Sequence, residues 1–394
     1  MLHRLSRRML VIPGALALAA AAGGAVAIAQ TRPVALFGAD KTGFSVETVA
    51  DGLERPWGLA FLPDKRMLVT EKAGRLRLIA PDGKVSAPVA GLPKVDARGQ
   101  GGLFDVAIAP DFAKSRLVYF TFAEAGDGGV NGTALGRGRL AENAARLEDV
   151  AVIWRQQPKY ASTKHFGSRV VFAPDGKLFV TTGERAEDQF RVKAQDLNET
   201  LGKVVRLEPD GRPAAGNPFE GRADAKPEVW SYGHRNIQGA AIEPGTGQLW
   251  TVEHGARGGD ELNHPEAGKN YGWPVIAYGT EYSGAKIGEG AEKEGMEQPV
   301  YYWDPSIGPS GLVFYTGDVY PEWKGSVFVG GLAIPMLCRL ELRDGKVVRE
   351  ERLLEDVGER IRDVRQGPDG MLYLLTDSDD GRLLRLKRGK SGRS

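Results

Sequence analysis

The chain has 394 residues, with 52 basic against 51 acidic side chains and a formal net charge of +1. So even a balance supports neither a nucleic-acid partner nor an anionic membrane surface. Fifty-three glycines, moderate apolar content and no low-complexity run point to many turns rather than disorder, and the lone Cys338 excludes an internal disulfide.

In chain order, residues 1–29 read as an export signal. Arg4, Arg7 and Arg8 precede the apolar run "MLVIPGALALAAAAGGAVAIA", and "AIAQ" offers a small-x-small cleavage site after Ala29. "SRRMLV" also resembles a twin-arginine signal. The run is long enough to span a bilayer, but Pro13, Gly14, Gly23, Gly24 and the cleavage site favour removal. The expectation is a mature chain of residues 30–394, periplasmic or secreted, with no stable membrane insertion.

Six times the remaining chain shows a strand, a turn rich in Pro, Asp or Gly, and a second strand. The units cover residues 57–79, 102–124, 168–185, 237–255, 310–332 and 361–386. "SRVVFAPDGKLFVTTGER" shows the form, with "VFA" leading into "PDG" and "LFV" leading out. Starts about 45 to 75 residues apart suit propeller blades with loops of variable length. The predicted fold is all-β, a six-bladed β-propeller. Residues 139–150, "RLAENAARLEDV", are the one stretch with a helical pattern. Cys338, in an apolar neighbourhood, reads as a buried inert thiol.

A propeller gathers the residues that open each repeat around one channel mouth. Those positions hold Gln100, His165, Arg235 with Asn236, Ser306, and Arg360 with Arg362. Arg360 and Arg362 stand i, i+2 and share a side of a strand, so they repel unless an anion lies between them. That anion is either a bound ligand or a local carboxylate, Asp363 or Glu359. His165 is the only histidine of the mature chain outside 234–264, and a strand out and back returns Glu184 to its face, where a carboxylate would orient the imidazole as a base. Further on, "EHGARGGDELNHPEAGKNYGWP" combines Glu253, Asp260 and Glu261 with glycines, a composition suited to a hard cation such as Ca²⁺. His234, His254 and His264 lack the spacing of a zinc site.

The segments "RPWGLAFLPD", "GQGGLFDVAIAPDF", "KHFGSRVVFAPDGKLFVTTGE", "YGHRNIQGAAIEP", "HGARGGDELN", "GKNYGWP" and "RIRDVRQGPDG" resemble the soluble quinoprotein sugar dehydrogenases, above all their aldose sugar dehydrogenase branch. The resemblance runs from about residue 50 to residue 386. It implies pyrroloquinoline quinone (PQQ), a flat tricarboxylate ortho-quinone, bound across the channel mouth together with Ca²⁺. By the same resemblance His165 is the catalytic base, Glu184 its partner, and Arg235 and Asn236 face the quinone edge. Arg360 and Arg362 form a carboxylate clamp, Gln100 and Ser306 add polar contacts, and the carbonyls of Gly255 and Ala256 hold the cofactor's Ca²⁺. Glu261 and Tyr271 match ligands of a second, structural Ca²⁺. The implied activity is oxidation of an aldose sugar at C1 to the lactone, with electrons leaving to an external acceptor. Ala333 stands about where the glucose-type enzymes carry a lysine, and Glu184 where they carry Asp. A calcium-dependent propeller lactonase and a non-catalytic sugar- or protein-binding propeller remain the alternatives.

Overall fold

The computed structural model describes residues 43–389, so the predicted signal at 1–29 lies outside the described residues. Six antiparallel sheets follow one another along the chain. Their innermost strands are Pro56–Phe61, Leu103–Ile108, Gly167–Phe172, Ile237–Ile242, Pro309–Phe314 and Ile361–Gln366. Each neighbours the next, and the sixth neighbours the first, so the ring is closed. We number the blades one to six in this order. The chain is a six-bladed β-propeller.

Closure comes from Phe44–Leu53, which pairs antiparallel with Gly381–Arg388 as the outermost strand of blade six. The first strand thus completes the last sheet. Blade one has only three full strands, and short bridges from Val85 to Ile79 and from Val89 to Leu76 cover its outer side.

The second strands are buried along their whole length in five blades: Met67–Glu71, Leu178–Thr182, Leu249–Glu253, Val327–Gly331 and Leu372–Thr376. A blade has a neighbour on both faces, so these strands read as continuous apolar runs instead of alternating ones. Hydroxyls join blade to blade. Thr181 Oγ1 accepts the Arg169 N–H of its own blade at 2.9 Å and donates to Ile237 O of the next at 3.1 Å. Thr121 does the same between Asp105 N–H and Ser168 O, and Thr70 between Gly58 N–H and Phe104 O.

Below the mouth a buried ion network crosses the channel. Arg169 Nη1 lies 3.1 Å from both Asp105 and Asp363, and Arg365 pairs with the same two carboxylates at 2.8 and 2.9 Å. Blades two, three and six are tied together there. The helical pattern at 139–150 is not a helix. Asn131–Leu140 and Leu147–Arg155 are paired strands, and Ala141–Arg146 is the turn between them. Leu140, Ala144 and Leu147 are core residues at near-helical spacing, but they are buried from two strand ends and a turn.

Candidate active site

His165 sits just before the inner strand of blade three, with φ of +46°. Its backbone N–H donates to Gln100 Oε1 at 2.8 Å, and Arg185 Nη1 donates to its carbonyl at 3.3 Å. Asn236 Oδ1 accepts the N–H of Gly167 at 3.0 Å, which braces the same turn from blade four. Gly183 passes so close behind that a Cβ there would stand 2.2 Å from His165 O. The turn is therefore held from four sides.

The imidazole Nδ1 lies 2.6 Å from Glu184 Oε2. Glu184 is 1% exposed and also accepts the Ala186 N–H at 3.2 Å. Burial lowers the His165 pKa below its ordinary value, outweighing the upward pull of Glu184, and Arg235 adds to the lowering. Burial alone would raise Glu184, but the His165 charge, their hydrogen bond and Arg235 bring it below its usual value. An ionised Glu184 beside a neutral imidazole puts the proton on Nδ1 and leaves the Nε2 lone pair free.

Arg235 and Asn236 belong to "SYGHRNIQG". His234 is fully buried, with Nε2 on Ser231 Oγ and Nδ1 on Glu253 Oε1, both at 2.9 Å, and its ring stacks on Tyr271. Its task is to hold Glu253, whose Oε2 accepts the Arg235 N–H at 2.6 Å. The Arg235 side chain lies over the Trp273 ring, and its Nη1 donates to His254 O at 3.1 Å. Its Nε is buried without a partner among the described residues.

Arg362 repeats this pattern. Nη1 donates to Gln238 Oε1 at 2.8 Å, Nη2 lies 3.3 Å from Asp377, and Nε is buried without a partner. Burial lowers its pKa. Asp377 is the anion between the two arginines, since Arg360 Nη2 reaches the same oxygen at 2.6 Å. The two local carboxylates considered from sequence are engaged elsewhere, Asp363 with Arg169 and Arg365, and Glu359 with Arg382. Arg360 is half-exposed with Nε and Nη2 both on Asp377, so its clamp position is filled from within the chain.

The acidic residues of 253–261 divide by task. Asp260 accepts the N–H groups of Gly255 at 2.7 Å and of Ile307 and Gly308 at 2.8 Å, and so shapes the loop that carries Gly255 and Ala256. Glu253 is spent on His234, Arg235 and Asn263. Glu261 is left with a donor at 3.0 Å from Asn263, and burial, then the Glu253 charge, pushes its pKa up to about 8. A cavity of about 20 Å³ lies against Gly233, Glu253, Gly255, Ala256, Glu261 and Tyr271, room for one ion or water. The Tyr271 hydroxyl is bound to His264 O and the Glu266 N–H. Asn263 Oδ1 is buried without a partner among the described residues. A buried carboxylate repelled by its neighbour, an orphaned amide oxygen and a small void fit a hard cation held mainly by carbonyls. Ser306 Oγ accepts the Gly258 N–H at 3.1 Å and steadies this loop.

For an anionic ligand the fit rests on the two unpartnered guanidinium Nε groups and the buried, unpartnered Trp273 Nε1. Each is a donor left without an acceptor among the described residues. Ala333 is exposed and offers no charge.

His254, Trp57 and Asp377, which lie against Arg235 and Arg362, were missed from sequence. Lys72, His254 and Asp377 each follow the last residue of a second strand, and that register was the available signal. His254 lies near Arg235, His165 and Arg362, with its pKa lowered to about 3 by burial first and then by Arg235. It is neutral throughout the physiological range.

The propeller joins at its mouth a carboxylate-backed imidazole and two arginines whose Nε groups lack partners among the described residues, and its relatives place it in the class of sugar dehydrogenases built on propellers. The chain belongs to the glucose/sorbosone dehydrogenase family, whose profile matches residues 53–385. Aldose sugar dehydrogenase YliI of Escherichia coli is 47% identical over 345 residues, covering 87% of this chain and 92% of that protein. A crystal structure of a glucose dehydrogenase, 54% identical, superposes with a TM-score of 0.85 over 88% of this chain and all of the other. The PQQ-bound aldose sugar dehydrogenase of Streptomyces coelicolor is 31% identical, with a TM-score of 0.73 over 89% of this chain and 99% of that one.

Proposed function

We propose that the protein oxidises aldose sugars at C1 to the lactone, with PQQ and Ca²⁺ as cofactors. The observation that carries this reading is the His165–Glu184 pair at 2.6 Å, opening on a mouth with unpartnered buried donors on Arg235 and Arg362. When bound, PQQ supplies an ortho-quinone able to accept the hydride from C1. His165 Nε2 takes the proton of the C1 hydroxyl, and Glu184 stabilises the imidazolium that results. Arg235, held by Glu253 and His254 O, presents fixed positive charge where negative charge develops. Arg362 and Asn236 orient the ligand, and Gln100 keeps the His165 backbone in place. Gly255 and Ala256 would hold the Ca²⁺ nearest the cofactor, and Glu261 with the Tyr271 carbonyl a second ion. Electrons leave to an external acceptor, and residues 1–29 direct the chain to the periplasm or beyond.

The hydrolase reading needs free carboxylates at the channel axis. Asp105 and Asp363 lie there, but both are consumed by Arg169 and Arg365. A purely binding role gives no purpose to the Glu184-backed imidazole. The test is reconstitution of the chain from residue 30 with PQQ and Ca²⁺, following dye reduction with a panel of aldoses. Sugar-dependent reduction that requires PQQ is expected; dye reduction without PQQ, or none with any aldose, defeats the reading.

A further inference from the structure

We propose that Lys72 is an anchoring cation of the channel mouth, its ammonium binding a carboxylate of the anionic cofactor beside Arg362. The inference rests on the reading of the mouth as a PQQ site and adds a contact from blade one. Lys72 directly follows the buried strand Met67–Glu71, as His254 and Asp377 follow the second strands of blades four and six. Its register is therefore that of residues already at the mouth. The charged groups that act on it are Arg55, Arg362, Asp377 and Asp379.

Those carboxylates are taken. Asp379 is paired with Arg55, and Asp377 with both Arg360 and Arg362. Lys72 Nζ donates to Ala97 O at 3.1 Å and has no other hydrogen bond or ion pair among the described residues. An ammonium carries three donors, so two remain. The side chain is half-buried, and burial, then Arg55, lowers its pKa, so an added anion would relieve an unfavourable charge. Its position is also prepared. Gly102, with φ of +157°, packs so closely that a Cβ there would lie 2.6 Å from Lys72 O and 2.7 Å from its Cγ. The same loop carries Gln100, whose side chain holds the His165 backbone. A surplus positive charge thus stands between the Gln100 loop and Arg362.

Equilibrium binding of PQQ to the metal-loaded protein, read by quenching of tryptophan fluorescence, tests this without turnover. Lys72→Met is expected to weaken binding at least tenfold, with the difference shrinking as salt rises. Lys72→Arg should stay within about threefold of the parent, and Lys65→Met, in the turn at the far end of the same hairpin, should change nothing. Parent-like affinity in a Lys72→Met protein of unchanged melting temperature overturns the inference and leaves the function intact. If that variant melts early, Lys72→Gln decides by the same criterion. A parent protein that binds no PQQ overturns the function reading itself.

Discussion

At the scale of single residues, burial and one carboxylate set the state of His165. Its pKa lies below the ordinary 6.5, so the base is already neutral at pH 7. The rate should climb with pH along an acid limb centred below 6.5 and be flat by neutrality, which a pH profile of kcat/KM on the PQQ-loaded protein measures. The same shift has a stability consequence. As pH falls through about 6.5 an unfolded histidine binds its proton before the folded one does, so the contribution of the neutral imidazole is lost in that window. Glu184→Gln keeps the shape but removes the charge, and should lower kcat by about 10²- to 10⁴-fold with PQQ affinity little changed. Some of these residues could be read from the chain. His165 and Glu184 are separated by one strand pair, so a strand out and back suffices to bring them together. The register of Asp377 after a second strand was legible but its pairing with Arg362 was not, because the choice among carboxylates depends on which strand end meets which, and nearer acids in sequence were consumed by Arg169, Arg365 and Arg382.

At the scale of elements, Thr181 and Thr121 join neighbouring blades through hydroxyls that accept from one inner strand and donate to the next. Thr181→Val conserves volume and strands an N–H and a carbonyl, so a loss of about 1–3 kcal/mol is expected in urea unfolding. The 255–261 loop makes a second expectation. Chelation with EGTA should lower the melting temperature and added Ca²⁺ restore it, whereas Glu261→Ala should diminish that increment. Calorimetric scans with and without chelator check both. Sequence marked the strand–turn–strand units because turn chemistry is local. It left 139–150 in question, where core spacing imitates a helix and only the pairing of Asn131–Leu140 with Leu147–Arg155 settles the matter.

At the scale of the whole molecule, ring closure is what makes a site from residues scattered between 72 and 377. Phe44–Leu53 completes blade six from its outer edge and so fastens the start of the ring to its end, and the Asp105–Arg169–Asp363–Arg365 network ties three blades below the mouth. The six repeats disclosed the number of blades. The identity of the closing strand was not legible, since nothing within 44–53 distinguishes a partner 328 to 344 residues away from a near one. In the proposed function the ring would let one imidazole and two arginines meet the ligand with little to reorganise.

The most direct test is a single-turnover experiment. The PQQ- and Ca²⁺-loaded protein is mixed with glucose, or with glucose deuterated at C1, and cofactor reduction is followed by absorbance in the parent and in His165→Ala. The account predicts sugar-dependent reduction that is slower with deuterium, and a fall of about 10²- to 10⁴-fold in the variant with its PQQ still bound. An unchanged rate in His165→Ala, or no reduction by any aldose in a protein that binds PQQ, would contradict it.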